Sequence, residues 1–113
     1  MEMLEARRND VLVLTLKGRL DAASAPTVRN HLQERIEQGD RRFAVDAGGL
    51  TYISTSGLSL LLQVAKQLEG CSGRIVLCAL QKPVKRVFEI VGFTSLFGIF
   101  NSSDEAVQAC QRD

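Results

Sequence analysis

The residues of this chain that could do chemistry are concentrated between Thr51 and Leu62, in the segment T-Y-I-S-T-S-G-L-S-L-L-L. Three consecutive hydroxyl residues, at positions 54 to 56, lie there between the predicted end of a strand and the predicted start of a helix. Their oxygens can accept hydrogen bonds from the free N–H groups of a first helical turn, and Gly57 allows another backbone to approach closely. A single helix cap needs only one hydroxyl, so the segment indicates both a cap and a candidate modification site.

Ser54, Thr55 and Ser56 are all candidate phosphate acceptors. A phosphoryl group adds about −1.5 to −2 charges, and the free N–H groups of a helix N-terminus tolerate that charge. A partner surface packed around the hydroxyl would instead have to desolvate the new dianion. The segment therefore predicts a switch in which modification of one side chain controls partner binding.

Other site chemistries find little support in the sequence. The G-x-S-x-G elbow of a serine hydrolase is absent, and the single histidine, His31, lies mid-helix in the predicted pattern, which is typical of a surface residue. Asp21 and Asp46 could approach each other at strand ends, but no histidine or cysteine cluster joins them as metal ligands. Gly48–Leu50 lacks the spacing and the lysine of a phosphate-binding loop. We therefore expect a protein that is not an enzyme and that holds no metal or cofactor.

Length and composition predict one α/β domain over residues 1–113. The net charge of +1 and the 5% aromatic content give no basis for binding nucleic acid or an anionic membrane. The three cysteines lack disulfide or zinc spacing, and no apolar run suits a signal peptide or a membrane span. These features indicate a cytoplasmic protein without membrane insertion.

Hydrophobic periodicity predicts strands that alternate with helices. The predicted elements are strands at Met3–Arg7 and Val11–Leu16, a helix at Ala22–Gln38, a strand at Arg41–Asp46, a helix from Ser56 that ends before Gly70, a strand at Arg74–Leu80, a helix at Lys82–Val91, a strand at Gly98–Phe100 and a last helix opened by the capping box Ser102–Glu105. This order predicts a mixed, mostly parallel sheet of four to five strands with about four helices. Ligands or partners are then expected at the carboxyl ends of the strands, where the hydroxyl cluster lies.

The helix after the hydroxyl cluster has an apolar stripe with two more apolar residues beside it. The predicted stripe contains Leu58, Leu61, Leu62, Ala65 and Leu68. Leu60 and Val64 fall next to that stripe, so they either form an exposed ridge for a partner or widen the buried face. Four apolar residues near the end leave the oligomeric state open, because they either close the core or form an exposed patch: Phe93, Leu96, Phe97 and Phe100.

Three segments together resemble the STAS family, specifically its stand-alone anti-sigma factor antagonists. They are L-K-G-R-L-D at Leu16–Asp21, V-D-A-G-G-L-T-Y-I-S-T-S-G-L at Val45–Leu58 and V-K-R-V-F-E-I-V-G-F at Val84–Phe93. The resemblance covers nearly the whole chain and implies a STAS-like domain. It also implies a role in a bacterial partner-switching pathway.

In such a pathway the unmodified antagonist binds an anti-sigma factor that is a serine/threonine kinase with a histidine-kinase-like ATPase fold. Phosphorylation releases the antagonist, and a PP2C-like phosphatase restores it, so the ATP and metal belong to these partners. The resemblance places the acceptor two residues before the glycine, at Thr55. Ser54 stands where the family often has aspartate and Thr55 where serine is common, so Ser54 or Ser56 could be modified instead. Asp21 and Asp46 match family positions that border the same face, either as partner contacts or as turn and cap residues.

The resemblance predicts a partner-binding surface made of Asp21, Asp46, Ser54, Thr55, Ser56, Gly57, Leu60 and Val64. Two other functions stay open at this point. A STAS-like subunit could dock on the ATPase of a lipid-trafficking ABC transporter without being phosphorylated, with the hydroxyls serving only as caps. A small hydrolase could use Ser54 or Ser56, although no general base is in evidence.

Overall fold

The computed structural model describes residues 1–111, in which five strands alternate with four α-helices. In chain order the elements are β1 (Glu2–Arg8), β2 (Val11–Leu20), α1 (Ala25–Glu37), β3 (Arg42–Ile53), α2 (Thr55–Glu69), β4 (Arg74–Cys78), α3 (Lys82–Ile90), a single 3₁₀ turn (Phe93–Ser95), β5 (Gly98–Phe100) and α4 (Ser103–Cys110). The order and type of the predicted elements are confirmed, including the short last strand.

The strands form one sheet in the order β1-β2-β3-β4-β5. β1 pairs antiparallel with β2, and every later pair is parallel. Helices α1, α2 and α3 pack in one core on the same face of this sheet, as right-handed crossovers between successive parallel strands predict. The predicted mixed, mostly parallel sheet is therefore confirmed.

The hydrophobic core has two parts, one on each face of the sheet. The larger part packs α1, α2 and α3 against β2, β3 and β4, while a smaller part packs α4 against Val13, Ala44 and Val76. Because helices cover both faces, the strand Val11–Leu14 is buried along its whole length, as its unbroken apolar run predicts. No helix within residues 1–111 has the length and apolarity needed to cross a membrane.

β3 is longer than its sequence pattern predicts, and this changes the position of Asp46. The strand runs to Ile53 and bulges twice against β2, with register shifts after Thr15 and after Gly18. At the first bulge Gly49 is required, because a Cβ there would lie 2.7 Å from Cγ of Lys17. Asp46 therefore lies in the middle of β3, paired with Thr15 and Cys78, and not at a strand end.

The buried face of α2 also differs from the prediction. Leu60 and Val64 are buried, with only 4% and 0% of their surface exposed, whereas Leu62 and Ala65 are partly exposed. The interpretation of Leu60 and Val64 as an exposed ridge for a partner is wrong, because this face of α2 packs on the sheet and against α1. They widen the buried face instead.

The apolar residues near the end of the chain divide between core and surface. Phe97 is buried and stacks edge-on with Phe88, with ring centroids 6.0 Å apart. Phe93 and Phe100 are partly buried, and Leu96 is exposed. Val91, which follows the last residue of α3, is exposed as well.

Candidate functional site

The hydroxyl cluster lies where β3 ends and α2 begins. The backbone N–H of Ser54 donates to the carbonyl of Leu20 at 2.9 Å, so the chain leaves β3 beside the end of β2. Gly57 is buried against this junction, and a Cβ there would lie 2.8 Å from Cγ of Leu20 and 2.9 Å from Cγ1 of Ile53. Because Gly57 has no side chain, the first turn of α2 can pack directly against the ends of β2 and β3.

The three hydroxyl residues have different surroundings. Ser54 is the N-cap of α2, and its Oγ accepts a hydrogen bond from the backbone N–H of Gly57 at 3.3 Å. Thr55 and Ser56 occupy the first turn and are exposed. Within residues 1–111 neither hydroxyl is used in a side-chain hydrogen bond, so both are accessible for modification.

Thr55 and Ser56 line a cleft between α1 and α2. Its volume is about 310 Å³, and Ala22, Ala25, Pro26, Arg29, Ser59, Leu60 and Gln63 form the rest of its lining. Leu60 is buried and forms part of the cleft floor. The cleft is therefore bordered mainly by small and hydroxyl-bearing side chains, with room for a group from a partner.

Asp21 follows the end of β2 and organises the turn before α1. Its Oδ1 accepts hydrogen bonds from the backbone N–H groups of Ala23 and Ser24, both at 3.1 Å. The pKa of Asp21 is lowered below its ordinary value, chiefly by the hydrogen bond from the Ser24 backbone N–H. The Ser24 hydroxyl, the Ala23 N–H and the charge of Arg19 lower it further. The geometry thus agrees with the interpretation of Asp21 as a turn and cap residue, and it places Asp21 next to Leu20, whose carbonyl accepts from Ser54 of the hydroxyl cluster.

Ser24 and Arg19 also make contacts in this turn. The Ser24 hydroxyl donates to the carbonyl of Arg19 at 2.7 Å, so Ser24 makes no side-chain cap for α1. The Arg19 guanidinium lies 3.8 Å from the Asp21 carboxylate and 4.2 Å from the centre of the Tyr52 ring. These contacts explain why α1 begins at Ala25 and not at Ala22 as predicted.

In the structure, Asp46 does not lie at the hydroxyl cluster. At about 3.3 Å per residue, β3 separates Asp46 from Ile53 by roughly 20 Å. Its Oδ1 accepts instead from the backbone N–H of Gly48 at 2.9 Å, next to the first bulge. Asp46 therefore lies along β3, before the hydroxyl cluster, and its role in partner binding stays a prediction.

The single histidine lies on α1 and points away from the cleft toward the edge of the sheet. His31 Nε2 lies 2.6 Å from Oε1 of Glu5, which also accepts from Arg35 at 2.9 Å. This contact ties α1 to β1. Among the described residues that line the cleft there is no histidine or carboxylate that could act as a base toward Ser56.

Sequence reasoning missed Arg29, the charged residue in the cleft lining. Its signal is the four-residue spacing along α1, which puts Arg29 one turn after Ala25 on the same side of the helix. Without the pairing of α1 with α2, that face has no recognisable partner. The relevance of Arg29 is therefore visible only in the fold.

Comparison with known proteins agrees with this architecture. A BtrV protein of Bordetella bronchiseptica, whose name describes it as an anti-sigma factor antagonist, is 38% identical over 96% of this chain and 94% of its own length. A solved structure from Thermotoga maritima, described as that of an anti-sigma factor antagonist, superposes with a TM-score of 0.92 at 16% identity, covering 97% of this chain and 95% of that one.

The Bacillus protein SpoIIAA, solved in its phosphorylated form, superposes with a TM-score of 0.76 at 21% identity, covering 97% of this chain and 100% of that one. At these identities the two solved structures support the fold alone. The STAS domain model matches residues 3–106, which is nearly the whole chain. This chain therefore belongs to the STAS domain family.

Proposed function

We propose that this chain is an anti-sigma factor antagonist that works by partner switching, with Thr55 as the phosphorylated residue. The unmodified chain binds an anti-sigma serine/threonine kinase of histidine-kinase-like fold. That kinase transfers the γ-phosphoryl group of ATP to Oγ1 of Thr55. A bond forms between Oγ1 and the γ-phosphorus, the bond from that phosphorus to the β–γ bridging oxygen breaks, and ADP and the hydroxyl proton are released. A PP2C-like phosphatase hydrolyses the phosphothreonine and restores binding.

The observation that carries this proposal is that Ser54 and Thr55 have different roles in the structure. Ser54 caps α2, and Thr55 beside it is exposed at the mouth of a cleft. A phosphoryl group on Thr55 would leave the cap intact and would lie at the positive end of the helix, where anionic charge is tolerated. The same reasoning disfavours Ser54 as the acceptor and leaves Ser56 as the alternate.

The relatives supply independent support. The Bordetella bronchiseptica relative is named as an anti-sigma factor antagonist and matches this chain over almost its full length. SpoIIAA of Bacillus, which shares this fold, has been solved in a phosphorylated form. A kinase that uses ATP also implies that the switch operates in the cytoplasm.

The size of the predicted effect is adequate for a switch. A partner packed against the cleft would have to accommodate a dianion at its rim, at the cost of lost contacts and desolvation. A penalty of about 4 kcal/mol weakens binding roughly a thousandfold. One side chain can therefore determine which partner is bound.

A parallel pull-down from the native bacterium tests the proposal. The baits are Thr55→Ala and Thr55→Asp, with Ser56→Ala and Ser56→Asp as a matched pair one residue further along α2. Circular dichroism first shows that all four baits are folded, and mass spectrometry identifies the captured proteins.

We expect Thr55→Ala to capture a histidine-kinase-fold protein that Thr55→Asp does not, while both Ser56 baits capture it. Equal capture of a transporter ATPase by both Thr55 baits would contradict the switch. That result would favour the alternative in which the chain is an unphosphorylated subunit of a lipid-trafficking ABC transporter. Loss of the kinase with Ser56→Asp alone would transfer the acceptor role to Ser56.

A further inference from the structure

Arg29 is a cation without a counter-charge in the cleft that Thr55 lines. Among the described residues around that cleft it is the only one with a formal charge. Within residues 1–111 no ion pair or side-chain hydrogen bond engages its guanidinium, whereas five other arginines form ion pairs. An arginine is well suited to bind a phosphoryl group, because its planar fork donates two parallel hydrogen bonds.

The packing of α1 on α2 fixes where Arg29 lies in the cleft. Gln33 and Gln67 exchange reciprocal amide hydrogen bonds of 2.6 and 3.0 Å and bridge the two helices. Arg29 and Gln63 each lie one helical turn before this bridge, on the side toward the helix N-termini. Thr55, in the first turn of α2, lies on the same side of the bridge as Arg29 and lines the same cleft.

Four of the other side chains that line the cleft are small, namely Ala22, Ala25, Ser56 and Ser59. Thr55 and Arg29 line the same cleft, whose volume is about 310 Å³. A dianion at Thr55 would be attracted by the cation at Arg29 across this cleft, and the attraction would weaken as added salt shortens the Debye length from about 8 Å at physiological ionic strength.

We propose that Arg29 is the positioning residue that draws the phosphoryl group of phosphorylated Thr55 into the α1–α2 cleft. The inference rests on the proposed function, because it concerns the phosphorylated form of the same side chain. The ion pair folds the phosphoryl group over Ser56 and Ser59, so the modified chain occupies its own cleft. A partner group that enters the cleft of the unmodified chain is then excluded by occupancy as well as by charge.

The experiment uses full-length chain carrying phosphothreonine at position 55, installed during synthesis so that no kinase is needed. The second ionisation of the phosphoryl group is followed by ³¹P NMR as a function of pH in low salt. Three variants are compared with the parent: Arg29→Gln, Arg29→Lys and, as a matched control, Arg86→Gln on the exposed surface of α3. Circular dichroism confirms that each is folded.

We expect the phosphothreonine pKa to be about 0.5 lower in the parent than in Arg29→Gln, since a nearby cation favours the dianion and solvent weakens the effect. Arg29→Lys keeps part of the difference, and Arg86→Gln equals the parent. In about 1 M NaCl, where the Debye length is about 3 Å, the difference disappears.

An identical phosphothreonine pKa in the parent and in Arg29→Gln would overturn the inference, as would an equal effect of Arg86→Gln. This failure is distinct from failure of the proposed function. If no kinase in the native bacterium acts on Thr55, the proposed switch is wrong even where the ion pair forms. If the kinase acts and the ion pair is absent, the switch stands without Arg29.

Discussion

Ser54 and Thr55 are adjacent hydroxyl residues that the fold uses in different ways. Ser54 caps α2 through the N–H of Gly57, while the Thr55 hydroxyl is exposed. Removing the cap should lower the free energy of unfolding, whereas removing an exposed hydroxyl should leave it nearly unchanged. Measurements of the free energy of unfolding can therefore distinguish the roles of the two residues before any partner is identified.

We predict that Ser54→Ala lowers the free energy of unfolding by about 1 kcal/mol, as loss of a serine cap usually does. Thr55→Ala should change it by less than about 0.5 kcal/mol, as surface substitutions do. Urea unfolding followed by circular dichroism measures both. A larger loss for Thr55→Ala than for Ser54→Ala would contradict these assignments and make Thr55 the structural residue.

Asp21 gives a prediction about pH. Hydrogen bonds from Ser24 and Ala23 hold its folded-state pKa below the ordinary value of 3.8. A lowered carboxyl pKa stabilises the fold above the unfolded-state value, and that contribution is lost as the pH falls through the lower folded-state value. We expect wild type to melt at a higher temperature than Asp21→Asn at pH 7, with the gap closing below pH 3.8.

Thermal melts across this range measure the gap. Glu89→Gln, on the exposed surface of α3, is the control and should show no comparable change. A gap between wild type and Asp21→Asn that stays constant into acid would show that the carboxylate charge contributes nothing to the turn before α1.

At the scale of elements, the contact between α2 and the strand ends depends on Gly57. A methyl group there would lie within 3 Å of Leu20 and Ile53, so the helix or the strands must shift. We predict that Gly57→Ala destabilises the fold by about 1 to 3 kcal/mol, the usual cost of overpacking.

Gly70→Ala at the other end of α2 is the matched control for Gly57→Ala. Its new Cβ would meet the carbonyl of Gln67 at 3.5 Å, an ordinary contact, and the backbone is helical. It should be neutral or slightly stabilising. Equal unfolding midpoints in urea for the two alanine variants would show that Gly57 is not packed as described.

The elements differ in how well the sequence predicts them. Periodicity and terminal glycines identify every strand and helix, because the spacing of apolar residues along the chain depends directly on which faces of an element are buried. The extension and bulges of β3 are less visible, since Gly48 and Gly49 interrupt the apolar pattern there. A glycine pair in a strand is itself a signal for a bulge. A prediction that used this signal would extend β3 past the glycines and place Asp46 inside the strand.

The sequence predicts the candidate site only in part, for a related reason. Thr55 and its neighbours are contiguous in sequence, so their cap chemistry can be inferred locally. The burial of Leu60 and Val64 depends on how far α2 is rotated against the sheet, and the place of Arg29 depends on the pairing of α1 with α2. Both are long-range properties that one-dimensional spacing does not determine.

At the scale of the whole molecule, Thr55 lies at the carboxyl ends of β2 and β3, on the face of the sheet covered by α1 and α2. The small core under α4, built from Ala44, Val76 and Val107, lies on the other face of the sheet. Because Thr55 is exposed and belongs to neither core, the phosphorylated and unmodified chains should share one fold.

We predict that amide chemical shifts differ between the two forms only around the cleft. The affected residues should lie in the turn after β2, the first turns of α1 and the first turns of α2. Two-dimensional ¹H–¹⁵N NMR of unmodified chain and of chain with phosphothreonine at position 55 measures this. Shifts of similar size throughout α4 would indicate instead a global conformational change.

The most direct test of the central claim is the affinity of the captured kinase for the chain with and without phosphothreonine at position 55, measured by isothermal titration calorimetry in the absence of ATP. The account predicts that the unmodified chain binds and that the phosphorylated chain binds roughly a thousandfold more weakly, for a cost of about 4 kcal/mol. Equal affinities for the two forms would contradict it and reduce Thr55 to a surface residue of the first turn of α2.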